Sequence, residues 1–357
     1  MNPNERKLSY PFGEQVPEVG QALEVADDVR WLRLPLPFAL DHIHVWLLRD
    51  NVDGREGWTV VDCGIDRPEL RAHWEKVFEQ GLDGLPIVRI IVTHMHPDHI
   101  GLAHWLCERW NAPLWMTMTD YVTARLWSRR AGNGQAAGGP NGVSAADHFA
   151  RHGLLDPDAQ QKIRQRTDYY PNMVPDVPKS FRRIMHGDEV FVGGRSWRVI
   201  VGYGHAPEHA SLYCAEMDVL ISGDMVLPRI STNVSVFDHE PEANPLPLYL
   251  KSLDEYEDVP ETALVLPSHG RPFRGLHERI AQQHAHHAER LQALLDACDE
   301  PRCAFDILPV LFRRELDAHQ MTFAMGEALA HLHALYFEGK LARRMGDDGV
   351  YRFVRRG

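Results

Sequence analysis

His94, His96, Asp98 and His99 crowd the segment Thr93-His94-Met95-His96-Pro97-Asp98-His99, which directly follows the apolar run Ile87 to Val92. That run is broken only by Arg89, the pattern of a strand buried on both faces. Ile100 to Trp110 then resumes with helical periodicity, so the cluster sits on a loop leaving a buried strand, where function concentrates. Imidazole and carboxylate at this density point to bound cations. Nitrogen and oxygen donors without thiolate suit Zn(II), Fe(II) or Mn(II) and disfavour copper(I) or iron–sulfur chemistry. The plain alternative is a histidine-rich surface loop in a chain that holds 21 His.

Three further donors stand at equivalent places, each on a turn after a strand-like run. His205 follows Val199-Ile200-Val201-Gly202, Asp224 follows Val219-Leu220-Ile221-Ser222-Gly223, and His269 follows Leu264-Val265-Leu266-Pro267. Strand ends on one edge of a layered α/β fold converge, so donors far apart in sequence can meet. The rest of the chain fits such a fold. Val29 to Leu36, His42 to Leu48 and Trp58 to Cys63 read as a meander, Glu69 to Gln80 as an amphipathic helix, and Asn111 to Met118 as the strand closing a βαβ alternation. Asp188 to Val192, Trp197 to Val201, Ala210 to Ala215 and Val219 to Ile221 restore strands after a helical stretch over 119–183, read as an inserted cap. Leu276 to Cys298 reads as a long helix, followed by about two more helices and a hairpin over Lys340 to Arg344 and Val350 to Val354. The expected division is an N-terminal extension over 1–28, a catalytic domain over 29–276 and a small C-terminal domain over 277–357. Gly132-x-Gly134-x-x-Ala137 lacks the preceding strand of a dinucleotide fingerprint and reads as a loop.

From Val29 to Leu276 the chain resembles the metallo-β-lactamase-fold hydrolases. Thr93 to His99 fits the His-x-His-x-Asp-His motif, and Gly204-His205, Ser222-Gly223-Asp224 and Ser268-His269-Gly270 fit the later motifs in order. The resemblance implies an α/β fold, a four-layer αβ/βα sandwich with two divalent ions at one edge, zinc first and Fe or Mn as alternatives. It implies that His94, His96 and His205 hold one metal, that Asp98, His99 and His269 hold the other, and that Asp224 bridges them. Asp62 matches the acidic residue that orients the metal loop from behind, with an ordinary turn carboxylate as the alternative. His209 fits a polar supporting position more readily than a ligand. The nucleophile implied is a metal-bridging hydroxide, and Asp98 is assigned a second role as its proton acceptor. The chain departs from the family pattern in reading Ile100-Gly101 where many members have Gly-Gly, and in its long insert.

The formal charge of −12 opposes wholesale binding to polyanions, which depends on a basic surface. Five scattered cysteines give neither a disulfide framework nor a metal knuckle and read as reduced packing residues. Without an apolar leader or a membrane-length apolar run, the expectation is a cytoplasmic chain that does not enter the membrane. Two activities compete. An acyl ester, thioester or lactone hydrolase follows if Trp127, Phe149, Tyr169, Tyr170 and Met173 of the insert wall an apolar pocket over the metals, with a small acyl molecule as partner. A nuclease follows from the C-terminus, where Thr322 to Lys340 resembles the winged-helix-like extension of the β-lactamase-like protein 2 group, alongside a glyoxalase II-like core. Lys340, Arg343, Arg344, Arg352, Arg355 and Arg356 could then form a local basic patch. The overall acidity ranks acyl hydrolysis first and RNA cleavage second. A symmetric homodimer is the base-rate expectation.

Overall fold

The computed structural model describes residues 4–129, 142–312, 316 and 318–356. The chain runs β1 (Leu23–Ala26), β2 (Val29–Pro35), β3 (His42–Val52), β4 (Arg55–Val61), α1 (Pro68–Gln80), β5 (Ile87–Ile91), α2 (Pro97–Ile100), α3 (Ala103–Trp110), β6 (Leu114–Met116), α4 (Met118–Trp127), α5 (Gly142–Arg151), α6 (Pro157–Arg164) and β7 (Arg182–Arg183). It continues with β8 (Glu189–Val192), β9 (Arg195–Gly202), β10 (His209–Cys214), β11 (Val219–Gly223), α7 (Pro245–Asp254), β12 (Leu264–Pro267), α8 (Leu276–Ala297), α9 (Leu308–Leu311), α10 (Ala318–Phe337), β13 (Leu341–Met345) and β14 (Tyr351–Arg355). Strands β1 to β7 form one sheet in sequence order, and β12-β11-β10-β9-β8 form the second. The first sheet is antiparallel through the meander and parallel from β4 to β7; in the second only β11 and β12 are parallel.

Alternation along the strands divides the interior. In β3, Ile43, Val45 and Leu47 pack outward beneath α1, α3 and α4 with Trp74 and Leu106, whereas Trp46 and Leu48 face the other sheet. Between the sheets, Trp31, Trp46, Val61 and Ile91 meet Trp197, Val199, Leu212, Ile221 and Leu266. The second sheet's outer face is covered by α7, α8 and α10, with Leu246, Tyr249, Leu276, Met325 and Leu329 in one buried cluster. The order is therefore helix, sheet, sheet, helix, with each sheet burying both faces, as the α/β sandwich reading requires.

Several details differ from the sequence reading. Leu23–Ala26 pairs with β2, so these residues extend the first sheet. The predicted strand Asn111 to Met118 shrinks to Leu114–Met116, because Met118 already opens α4. The helix α7 went unread, its Pro245-Leu246-Pro247 start resembling a loop. In the insert, Phe149 and Ile163 pack with α10 while Tyr170, Met173 and Val177 pack under the first sheet. The Gly-rich stretch 132–141, with its nominal fingerprint, lies outside the described residues. Among the described residues, no helix is long and apolar enough to cross a membrane.

Candidate metal centre

The C-terminal ends of β4, β5, β9, β11 and β12 bring Asp62, the 93–99 loop, His205, Asp224 and His269 to one edge of the sandwich. His94 Nε2 and His96 Nδ1 are 2.8 Å apart, His96 Nδ1 and His205 Nε2 3.1 Å, and His205 Nε2 and His94 Nε2 3.2 Å. The far nitrogens set the tautomers. His205 Nδ1–H donates to the Asn233 carbonyl at 2.7 Å. His94 Nδ1 lies 3.0 Å from Thr93 Oγ1, whose own hydrogen goes to the Asp62 carboxylate. The Nε2 atoms of His94 and His205 are thus lone pairs facing each other, a repulsive contact unless a cation lies between them. Three nitrogens at the corners of a tetrahedral ion with bonds near 2.0 Å would stand roughly 3.3 Å apart, close to this triangle.

The second group is Asp98, His99 and His269. His269 Nδ1–H donates to the His42 carbonyl at 2.7 Å, turning Nε2 inward, 3.4 Å from Asp98 Oδ2. His99 Nδ1–H is held by Asp62 Oδ2 at 2.8 Å, and the buried His99 Nε2 has no hydrogen-bond partner. Asp224 lies between the groups. Its Oδ2 is 3.3 Å from His205 Nε2 and 3.5 Å from His99 Nε2, and its Oδ1, itself without a hydrogen bond, is 3.5 Å from His269 Nε2. Within each group, His94, His96, His205 and Asp224 in one and Asp98, His99 and His269 in the other, the donor atoms all lie within 4.8 Å of one another. Buried lone pairs aimed at each other, with outward N–H groups spent on backbone and carboxylate, fit two divalent cations sharing Asp224.

Electrostatics separates the histidines. Burial, then the neighbouring His99 and His96, pushes His94 well below the usual imidazole range, and burial and His205 bring His96 down to about 3. Burial would also lower His99, but Asp62, Asp224 and Asp98 outweigh it and hold the ring well above its ordinary value. The carboxylate of Asp224 is held low because His269 and His99 outweigh its burial. The donors are thus electrostatically unlike, with neutral imidazoles at His94 and His96 and a raised His99 beside Asp62, Asp224 and Asp98.

The supporting residues stand behind the donors. Asp62, at φ 66°, accepts the Thr93 N–H at 2.8 Å as well as the Thr93 hydroxyl and His99. His209 points its Nε2 at the Asp224 backbone N–H, 3.0 Å away. Of the three residues read as substrate-binding, Tyr170 is buried and donates its hydroxyl to the Met95 carbonyl at 2.6 Å, so it props the metal loop. Trp127 is buried edge-on against Tyr170 and His239, with ring centroids 5.5 and 5.1 Å away. Tyr169 has its phenol pushed up to about 12 by burial and by the charge of Asp98. Phe149 faces the C-terminal helices instead.

Sequence reasoning missed His42, Asn233 and Asp120. His42 accepts the Gly270 N–H at Nε2 while its carbonyl holds His269, and nothing local marks it among 21 histidines. Asp120 is fully buried and joins the loop of His94 and His96 to that of His205. A buried carboxylate early in a helix reads from sequence as an ordinary first-turn acid.

A helix–sheet–sheet–helix sandwich with a dense nitrogen and oxygen donor set at its strand ends is the architecture of a metallo-hydrolase fold. The profile of the Metallo-beta-lactamase superfamily matches residues 40–269, and the chain belongs to that superfamily. Residues 291–356 match the Metallo-beta-lactamase-like, C-terminal domain. A beta-lactamase domain protein from Burkholderia ambifaria is 56% identical, covering 99% of this chain and 100% of its own, with a TM-score of 0.93. The metallo-beta-lactamase family protein TTHA1429 from Thermus thermophilus is 28% identical over 93% of this chain and 100% of its own, with a TM-score of 0.74. The probable metallo-hydrolase YqjP of Bacillus subtilis is 24% identical over 91% of this chain and 97% of its own length.

Proposed function

We propose that this protein is a two-metal hydrolase acting on an acyl ester, thioester or lactone carbonyl. The observation that carries the reading is Asp224, which lies within 3.5 Å of donors from both groups and so joins two cation sites into one centre. When bound, two divalent ions supply an activated water and an electrophile for the carbonyl oxygen. The chain's part is to orient and to move a proton. Asp98 is the carboxylate able to exchange a proton with solvent, its side chain 19% exposed against 10% for Asp224. Tyr169, whose phenol feels the charge of Asp98, is the aromatic residue that orients the substrate.

The ranking over RNA cleavage rests on the C-terminal hairpin. Arg343 makes two hydrogen bonds to Glu242 at 2.8 and 2.9 Å, Arg352 two to Asp348 at 2.7 and 2.9 Å, and Lys340 pairs with Glu338 at 2.7 Å. Arg355 faces Asp296 and Asp299. Four of the six cations that would grip phosphates are answered by carboxylates of the same chain, leaving little net positive field for a polyanion.

The test is turnover of protein shown to hold about two ions, on acyl-CoA thioesters, aryl esters and lactones beside a labelled single-stranded RNA, with His96→Ala and Asp98→Ala in parallel. Carbonyl substrates cleaved by the wild type alone support the reading. Cleavage of RNA alone reverses the ranking, and full activity of Asp98→Ala removes the proton role.

A further inference from the structure

The three-histidine group is assembled from two segments: His94 and His96 flank Met95, His205 lies three residues before Glu208, and the Ala210 N–H donates to the Thr93 carbonyl at 2.8 Å where the two segments meet. Between them sits the carboxylate of Asp120, in the first turn of α4. Its Oδ1 accepts the Met95 backbone N–H at 2.8 Å and its Oδ2 accepts the Glu208 backbone N–H at 2.6 Å. The same helix end adds two contacts to the second loop. The Thr117 hydroxyl donates to the Glu208 carbonyl at 2.8 Å, and the Thr119 N–H donates to the Glu208 side chain at 3.0 Å. The Asp120 side chain is completely buried, so neither loop amide can turn to water if it is lost. On the other side of the centre, the Asp98, His99 and His269 group takes its support from Asp62 and His42.

We infer that Asp120 is a positioning residue for one metal only: it sets the spacing of His94 and His96 against His205 by holding Met95 and Glu208 on its two oxygens. The inference rests on the proposed two-metal reading. Both oxygens are needed because each serves a different loop. An asparagine keeps one acceptor and turns an NH2 toward the other backbone N–H, so Asp120→Asn must release one loop whichever way the amide sits.

The experiment is titration of metal-stripped full-length protein with Zn(II) against a competing chelator, for the wild type, Asp120→Asn, Thr117→Val, His96→Ala and His269→Ala. Loss of a supporting partner behind a ligand lowers metal affinity about 10- to 100-fold. The expected result is two tight ions in the wild type and, in Asp120→Asn, one ion weakened at least about 10-fold with the other unchanged. The surviving site should match that left in His96→Ala and differ from that left in His269→Ala. Thr117→Val should weaken the same ion to a smaller degree, and carries the test if Asp120→Asn does not fold. Two ions bound by Asp120→Asn with wild-type affinity, or both weakened equally, would overturn the assignment of Asp120 while leaving the two-metal reading standing. A wild type that binds fewer than two ions would sink that reading itself.

Discussion

His209 Nε2 stands 3.0 Å from the backbone nitrogen of Asp224 and accepts its hydrogen, so the carboxylate shared by both donor groups is aimed by a histidine that is not itself a donor. Burial, then His205, keeps His209 well below the usual imidazole range, which preserves it as a neutral acceptor. His209→Leu fills similar space but leaves the Asp224 N–H unpaired in the interior. A loss of about 1 to 3 kcal/mol is expected, measured as a lower urea midpoint of the metal-free protein. An unchanged midpoint would mean that the bond contributes nothing.

Asp62 collects the Thr93 N–H, the Thr93 hydroxyl and His99 Nδ1–H on one carboxylate. Asp62→Asn must set an NH2 against one of these donors. Metal affinity should fall about 10- to 100-fold, mainly at the site containing His99. Chelator competition checks this, and equal loss at both sites would contradict it.

Gly101 follows the position where Ile100 departs from the family pattern, and its surroundings leave no room for a side chain. A Cβ there would lie 2.6 Å from Ile65 Cα, 2.7 Å from Asp66 N and 2.7 Å from Gly64 O, all backbone atoms of the turn after Asp62. Gly101→Ala should therefore cost about 1 to 3 kcal/mol or more through forced backbone shifts. Thermal denaturation is the readout, and a wild-type midpoint would show that the turn yields freely.

Acid should destabilise the protein through histidines remote from the metal centre. Burial, then His148, brings His152 down to about 3, and burial, then His331, brings His287 down to about 2. Both stay neutral in the native state while the unfolded chain takes up protons below about pH 6.5. Their contribution is complete above that pH and is lost as the pH falls from about 6.5 toward 3, at about 1.4 kcal/mol per pH unit for each ring. Between pH 7 and 5, metal-free wild type should lose about 2 kcal/mol more than His152→Gln. Equal losses would place the acid sensitivity elsewhere.

Much of the centre was legible because its donors follow strand-like runs. Ile87–Ile91, Val219–Gly223 and Leu264–Pro267 each form the strand read from apolar residues, and each ends one to three residues before its first donor. Asp62 and His209 were marked by the family resemblance, as the acidic residue behind the metal loop and the polar residue four positions after His205. The aromatic residues of the insert were not legible, since apolar character cannot say which of several cores a ring will join. Tyr170 and Trp127 went beneath the first sheet and Phe149 to the C-terminal helices.

The amino-acid sequence by itself determined the periodicities, the strand ends and the donor types, because these depend on local alternation and on residue chemistry. Tertiary structure alone decided the pairing of His42 with His269, of Asp120 with Met95 and Glu208, and of Arg343 with Glu242. Each joins segments 25 to 227 residues apart, or binds through a backbone group present at every position. No local pattern distinguishes such partners; only the closing of two sheets upon each other selects them.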